Sequence, residues 1–264
     1  MSEYGKEYEE GRITKVLLLI VYISLAMGSI FYTKTLHTES ADATEAHKGD
    51  FHYNAPDKTE ETGRLEELIR APRLGQDAYP TGCESVAAVM ALKYQGYQVT
   101  VDEFIDDYLR IGTYYEENGQ YYGNSPYNSF IGDPRSENGF GCFAPVIYDA
   151  LSQITGPGQV KDLTGIPLKQ IEEDYIAKGV PAIIWATIDM KPSYHGGGWT
   201  LLETGEYYTW PAEEHCLLWV GGNKDYYYFN DPMNQGEVTK YERRAVEQRY
   251  EEMGSQALAV LRIF

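Results

Sequence analysis

The amino-acid sequence predicts an α+β domain in which helices come first and an antiparallel sheet follows. Apolar residues recur at helical spacing between residues 82 and 178, and short runs rich in β-branched and aromatic residues follow between 180 and 263. The chain has 264 residues, 43% hydrophobic and 14% aromatic, which suffices for one globular domain with appendages. Helices followed by strands favour two packed layers.

Four helices are predicted from their apolar faces and their end signals. Thr100 and Glu103 form a capping box at the start of the second helix, and Pro145 suits the first turn of the third. Glycines follow the ends of the other helices. The predicted helices are residues 82–94, a segment between Thr100 and Gly112, a segment from Pro145 through Ile154, and residues 167–178.

Four strands are predicted from short apolar runs bounded by Gly, Pro, Asn or Asp. They are Val180–Ile188, Glu214–Val220, Tyr226–Asn230 and Gln256–Ile263. The stretch Tyr114–Gly141 is rich in Tyr, Asn and Gly and has no clear period. It is predicted to be a long surface loop that contacts a ligand.

The N-terminal part of the chain is predicted to lie outside the domain. Eighteen residues without a charge lie between Lys15 and Lys34. As a helix they would cover about 27 Å, which just spans a bilayer core. A cleaved signal peptide ending near Ala41-Asp42-Ala43, which would give a secreted protein, and a buried helix are the alternatives. The expected organisation is a cytoplasmic segment at 1–14, a transmembrane anchor at 15–33, a polar linker at 34–63 and an extracellular domain at 64–264.

Charge and cysteine content exclude several classes of function. The formal net charge is −18, so nucleic acids and anionic membrane surfaces would repel the domain. A peptide, a glycan or a small molecule is the expected partner, and no oligomer is indicated. Cys83, Cys142 and Cys216 are far apart and form no CxxC pair, so neither a disulfide framework nor a zinc site is predicted.

Cys83 is the candidate nucleophile, because it follows Pro-Thr-Gly at the start of the first predicted helix. The free backbone N–H groups and the dipole at a helix N-terminus stabilise a thiolate, so we expect a lowered pKa. Buried free cysteines also serve as small apolar residues, which is the alternative for Cys83. Cys142 and Cys216 are predicted to be packed thiols.

His215 and Asp231 are the candidate partners of this cysteine. His215 opens a predicted strand, and Asp231 follows the run YYYFN at the end of the neighbouring predicted strand. A carboxylate that accepts a hydrogen bond from an imidazole fixes its tautomer and stabilises its charged form. An ordinary turn is the alternative reading of Asn-Asp-Pro. His195 lies in a glycine-rich segment and is the weaker candidate for a base.

These residues carry a resemblance to a known family. The segments PTGCE, GCFAPVIYDAL, KGVPAIIWATIDM, EHCLLWVGG and YYYFNDP follow one another in this order. Over roughly residues 64–264 the chain resembles the bacteriocin-processing, double-glycine-leader type of cysteine peptidase in its standalone form, within the papain-like group. The resemblance implies a papain-like fold in which helices pack on an antiparallel sheet.

The resemblance also assigns roles to individual residues. It implies that Cys83 is the nucleophile, that His215 is the general base and later the general acid, and that Asp231 orients the imidazole. It implies a glutamine shortly before the cysteine whose amide stabilises the oxyanion, and Gln76 is the residue in that place. Neither a metal nor an organic cofactor is implied.

The expected function is therefore hydrolysis of amide bonds in a peptide or protein substrate by a membrane-tethered, extracellular cysteine peptidase. The sequence holds no Walker A motif of the transporter-associated members, so cleavage of double-glycine leaders is not implied. A non-catalytic module that binds peptides or cell-wall fragments and an acyl or amide transferase are the alternatives. Trp199 and Trp210 are candidates for a substrate groove, whereas Trp185 and Trp219 lie in predicted strands and are expected in the core.

Overall fold

The computed structural model describes residues 68–235 and 237–262. The predicted cytoplasmic segment, membrane anchor and linker at residues 1–63 lie outside these residues. Among the described helices, none combines the length and the hydrophobicity that crossing a bilayer requires.

Helices and strands alternate irregularly along the described residues. The helices are α1 (Cys83–Tyr94), α2 (Val101–Glu103, continued by a π-helix over Phe104–Tyr108), α3 (Ala144–Thr155), α4 (Leu168–Asp174) and α5 (Arg243–Glu252). The strands are β1 (Ile111–Gly112), β2 (Tyr114–Glu117), β3 (Gln120–Gly123), β4 (Phe130–Ile131), β5 (Val160–Asp162), β6 (Ala182–Thr187), β7 (His195–Leu201), β8 (Tyr207–Pro211), β9 (Glu214–Gly222), β10 (Tyr226–Asn230), β11 (Val238–Glu242) and β12 (Ala257–Val260). Short 3₁₀ helices cover Ile176–Lys178, Ile188–Met190 and Pro232–Asn234.

A six-stranded sheet forms the centre of the domain, in the order β11-β10-β9-β6-β12-β5. All its neighbouring strands are antiparallel, and the four predicted strands form its middle as β6, β9, β10 and β12. The register between β9 and β10 shifts by one residue between Tyr228 and Phe229, because Val220 is an extra residue in β9. The prediction of an α+β fold with an antiparallel sheet is confirmed.

Helices cover both faces of this sheet, so the prediction of two layers was wrong. Helices α1 and α3 pack on one face, beside Cys216 and Leu218 of β9, and α4 and α5 pack on the other face, beside Leu217. Both faces of the central strands are apolar, which is why both must be covered. All residues of α1 from Cys83 to Leu92 are buried, including the polar residues Glu84 and Ser85 in its first turn.

The stretch predicted as a long loop, Tyr114–Gly141, instead contains the hairpin of β2 and β3 and the short strand β4. Strands β2, β3, β7 and β8 form a second sheet. Its aromatic residues pack on one another: the ring centroid of Tyr114 lies 5.0 Å from that of Phe140 and 5.5 Å from that of Trp199. These aromatic contacts replace the aliphatic alternation by which a strand is recognised in a sequence.

Candidate active site

Cys83 is the first residue of α1, directly after a tight turn. The N–H of Gly82 donates to the carbonyl of Tyr79 at 2.9 Å, and the carbonyl of Gly82 accepts the first helical hydrogen bond from Val86 at 3.0 Å. A Cβ at position 82 would lie 2.9 Å from Cβ of Tyr79, so the turn requires glycine. The turn and α1 together fix Cys83, whose side chain is 5% exposed.

His215 and Asp231 form a buried pair on the opposite side of β9 from Cys216. Nε2 of His215 lies 2.8 Å from Oδ1 of Asp231, and neither residue is more than 5% exposed. Strand β9 supplies the histidine as its second residue, and Asp231 follows the last residue of β10. With Nε2 engaged, Nδ1 is the ring nitrogen left to exchange a proton with another group.

Three hydrogen bonds hold the carboxylate of Asp231. Besides the imidazole, its Oδ1 accepts from the N–H of Met233 at 2.9 Å, and its Oδ2 accepts from the hydroxyl of Tyr241 at 3.3 Å. Burial alone would raise the pKa of Asp231, but these hydrogen bonds and the charge of His215 outweigh it and lower that pKa. Asp231 is therefore an anion that stabilises a protonated His215.

The sulfur of Cys83 lies between Glu84 and β9. It is 3.4 Å from Oε2 of Glu84, whose Oε1 accepts the N–H of Cys142 at 2.6 Å. The backbone N–H of Cys216 lies close enough to favour the thiolate of Cys83. This contact brings the sulfur next to the strand residue that follows His215. The side-chain hydrogen bond of the sulfur runs to Glu84 rather than to the imidazole.

Glu214 completes a buried acidic cluster around the sulfur. The sulfur of Cys83 and one carboxyl oxygen each of Glu84 and Glu214 all lie within 4.8 Å of one another. Oε1 of Glu214 is buried and has no hydrogen-bond partner among the described residues. Sequence reasoning missed both glutamates, and their only signal is that each directly adjoins a predicted catalytic residue, in GCE and in EHC.

The expectation that the helix N-terminus lowers the pKa of Cys83 was wrong. Burial and then the negative charges of Glu84 and Glu214 raise the pKa of this thiol well above its ordinary value. These effects exceed the stabilisation that the helix dipole gives to a thiolate. Cys83 therefore rests as a thiol and needs a base to become a nucleophile.

The two glutamates also prefer to be protonated. Burial raises the pKa of Glu84 to about 7, although the hydrogen bonds from Cys142 and Cys83 oppose this shift. Burial and the neighbouring Glu84 raise the pKa of Glu214 well above its ordinary value. Among the described residues, no lysine or arginine contributes to either shift. The pair therefore retains protons at a pH where an exposed glutamate is ionised.

Gln76 is tied to the segment that follows Asp231. Its backbone N–H donates to the carbonyl of Pro232 at 2.9 Å, and its side-chain Nε2 donates to the carbonyl of Pro80 at 3.0 Å. An amide NH₂ group has two hydrogens, so one remains for another acceptor. Its Oε1 is buried and has no partner among the described residues.

Cys142 and Cys216 are fully buried free thiols, as predicted. Trp185 and Trp219 are also fully buried in the core. Trp199 is fully buried as well, which excludes the groove role considered for it.

Two cavities of the domain differ in their relation to this site, because the first borders His215 and Asp231 whereas the second lies beside β7 and β8. One of about 300 Å³ lies on the Asp231 side of the imidazole and is lined partly by Asp189 and Tyr241. Another of about 480 Å³ is lined mostly by aromatic and polar groups, among them Tyr127, Phe143 and Tyr194. Tyr127 belongs to the stretch Tyr114–Gly141, in which a ligand contact was predicted. Trp210, the other candidate for a substrate groove, is 7% exposed and stacks on Phe143, which lines this second cavity.

The fold is that of the C39-like class of peptidase structures. A crystal structure described as a C39-like peptidase from Bacillus anthracis superposes with a TM-score of 0.65, covering 74% of this chain and 96% of that one at 22% identity. The uncharacterised protein YvpB of Bacillus subtilis strain 168 is 27% identical over 190 residues, which are 72% of this chain and 71% of YvpB. The Peptidase_C39 like family matches residues 68–258, and the chain belongs to this family.

His195 opens β7 and is exposed, so the structure does not bring it to the His215–Asp231 pair. Of the four predicted site residues, the structure joins His215 to Asp231 directly. It places Cys83 at the start of α1 and Gln76 on the segment before α1. Tyr241, on β11, is a further partner that sequence reasoning missed. The catalytic roles of these residues stay predictions.

Proposed function

We propose that the protein is a cysteine peptidase that hydrolyses amide bonds of a peptide or protein substrate through Cys83, His215 and Asp231. The observation that carries this proposal is the buried pair of His215 and Asp231, whose side chains meet at 2.8 Å. His215 directly precedes Cys216, whose backbone N–H favours the thiolate of Cys83. Membership of the Peptidase_C39 like family supports the same class of reaction.

In the proposed reaction, His215 moves the proton from the thiol of Cys83 to the leaving amine. As the sulfur of Cys83 attacks the amide carbon, Nδ1 of His215 takes the thiol proton, and Asp231 stabilises the resulting imidazolium. The backbone N–H at the start of α1 and the second amide hydrogen of Gln76 donate to the oxyanion. The imidazolium then protonates the leaving amine, and water deprotonated by the same ring releases the acyl group from the thioester.

Alkylation of the full-length protein with limiting iodoacetamide at pH 6 tests the nucleophile. We expect Cys83 to react faster than Cys142 and Cys216, and His215→Ala to slow its reaction. His195→Ala is the matched control and should leave the rate unchanged, because His195 is exposed at the start of β7. Equal rates at the three cysteines, or no effect of His215→Ala, would contradict the proposed peptidase and favour a non-catalytic binding module.

The products from a mixture of synthetic peptides, identified by mass spectrometry, separate hydrolysis from acyl transfer. Hydrolysis yields new carboxyl termini even when a primary amine is added. A transferase instead joins the amine to the acyl fragment, and this product would contradict a peptidase.

A membrane tether and an extracellular position of the domain belong to the same proposal. They are supported by the uncharged run between Lys15 and Lys34 and by the polar segment at residues 35–63. Protease added to intact cells should release the domain from the membrane fraction. Protection of the domain in intact cells, with cleavage only after lysis, would contradict the extracellular position.

A further inference from the structure

The two oxygens of the Glu84 carboxyl group have different partners, and the backbone N–H of Glu84 itself also acts on this group. Oε1 accepts the short hydrogen bond from the N–H of Cys142, and Oε2 lies 3.4 Å from the sulfur of Cys83. A backbone N–H can only donate, so Oε1 is an acceptor in every protonation state. The carbonyl oxygen of a carboxylic acid is a better acceptor than its hydroxyl oxygen, so this short hydrogen bond favours the carbonyl form for Oε1. The proton is then on Oε2, which faces the sulfur or the nearby Glu214.

The direction of the hydrogen bond between Oε2 and the sulfur depends on this proton. A protonated Oε2 donates to the sulfur and stabilises a thiolate, which favours attack on the substrate. An ionised Oε2 can only accept, so it retains the hydrogen on the sulfur and adds a negative charge beside it. The same contact thus supports the nucleophile in one state and opposes it in the other.

The surroundings of Glu84 determine when this change occurs. The groups that face the cluster are Cys83 from α1, Glu214 and Cys216 from β9, Cys142 from the segment before α3, and Tyr208 of β8 beyond Glu214. His215 precedes Cys216 and points to Asp231. Among the described residues, no lysine or arginine acts on this cluster, so protons are what neutralise it.

We propose that Glu84 is a positioning residue that acts in its protonated form by donating a hydrogen bond from Oε2 to the sulfur of Cys83, and that loss of this proton inhibits the nucleophile. The inference rests on the proposed function of Cys83. The enzyme is then most active on the acid side of neutrality and is inhibited as the pH rises, although free thiols become more reactive in that direction.

The rate of Cys83 alkylation as a function of pH tests this inference on the full-length protein. Iodoacetamide is used between pH 5 and 9.5, and each cysteine is followed by mass spectrometry. In the wild type, the Cys83 rate should stop rising or fall above about pH 7, where Glu84 loses its proton. Glu84→Gln keeps an acceptor for Cys142 and a donor for the sulfur at every pH, so its rate should keep rising.

The two proteins should agree within about twofold at pH 5.5, and Glu84→Gln should react about tenfold faster at pH 9, because one adjacent charge shifts a thiol pKa by about one unit. Glu214→Gln is the matched control: it removes the other buried carboxyl but leaves one at position 84, so the alkaline inhibition should persist. Inhibition abolished by Glu214→Gln and retained in Glu84→Gln would overturn the proposal.

Failure of this inference can be distinguished from failure of the proposed function. If Cys83 reacts selectively but its rate in the wild type rises steadily from pH 7 to 9.5, Glu84 is not the switch, whether or not the variants fold. If Cys83 is never more reactive than Cys142 and Cys216, the cysteine peptidase itself is rejected. Thermal unfolding of each variant verifies that the comparison is made on folded protein.

Discussion

The imidazole of His215 and the carboxylate of Asp231 meet at 2.8 Å although sixteen residues separate them in the chain. They are brought together because β9 and β10 are adjacent antiparallel strands, with the histidine near the start of one and the aspartate just past the end of the other. Both side chains are buried, so an unpaired carboxylate here would be unfavourable. The pair is therefore part of the fold as well as of the proposed chemistry.

Replacement of Asp231 by Asn should lower kcat by about a thousandfold with little change in KM. The amide keeps the shape of the side chain, but it no longer stabilises the imidazolium or the tautomer that leaves Nδ1 free. Peptide hydrolysis under steady-state conditions measures this. Asp189→Asn is the matched control, since Asp189 is exposed and lines the cavity on the Asp231 side of the imidazole. Retention of more than a tenth of the activity in Asp231→Asn would contradict the assigned role.

Replacement of Gln76 by Ala should lower kcat by about a hundredfold, because one donor to the oxyanion is lost. Alkylation of Cys83 by iodoacetamide forms no oxyanion, so its rate should change by less than about twofold. The exposed Gln98→Ala is the control and should alter neither rate. A parallel loss of both rates would indicate that Gln76 supports the turn before Cys83 and not the oxyanion.

Glu84 should make the stability of the domain depend on pH. The pKa of Glu84 is raised in the folded state, so the folded protein binds this proton more tightly than the unfolded chain. The loss of unfolding free energy caused by ionising Glu84 is absent below its unfolded pKa of about 4.5 and grows as the pH rises through about 7. Glu84→Gln should therefore gain on the order of 3 kcal/mol in unfolding free energy relative to the wild type between pH 4.5 and 8.

Urea unfolding at the two pH values measures this difference. The exposed Glu116→Gln on β2 is the control, and its unfolding free energy should run parallel to that of the wild type. A constant difference between Glu84→Gln and the wild type would mean that folding does not raise the pKa of Glu84.

Gly141→Ala should destabilise the domain and move Glu84. Gly141 has φ of +150°, and a Cβ there would lie 2.5 Å from Oε1 of Glu84 and 3.2 Å from Oε2 of Glu214. We expect a loss of about 1–3 kcal/mol in unfolding free energy, together with a changed pH profile of Cys83 alkylation. Gly197→Ala is the control, because a Cβ at 197 meets no atom within 4 Å. Equal effects of the two substitutions would contradict the close packing described at Gly141.

The sequence was sufficient to predict the four middle strands of the central sheet and the pairing of His215 with Asp231. Strands β6, β9, β10 and β12 are apolar on both faces, so they are visible as short runs, and two consecutive runs form a hairpin. Strand β11 and helix α5 were not predicted, because the helix sequence RRAVEQRYEE buries only Val246 and Tyr250. Tyr241, which contacts Asp231, was missed with them.

The acidic cluster could not be predicted from local signals. A glutamate in the first turn of a helix, such as Glu84, is usually an exposed residue that favours the helix dipole. The approach of Gly141 and Cys142, which lie 57 and 58 positions further along the chain, covers it. The lowered pKa expected for Cys83 was wrong for the same reason, since burial arises from contacts that no sequence window contains.

The extra residue Val220 in β9 sets the phase of the hairpin that carries His215 and Asp231. If the pairing of Tyr228 with Gly221 continued without interruption, Asp231 would come opposite Leu218, on the face that Cys216 shares. The bulge instead brings Asp231 opposite Leu217, on the face of the histidine. A spacing of sixteen positions therefore brings the two side chains to one face of the sheet only because of this bulge. A relative with a regular hairpin needs a different number of residues between its histidine and its aspartate.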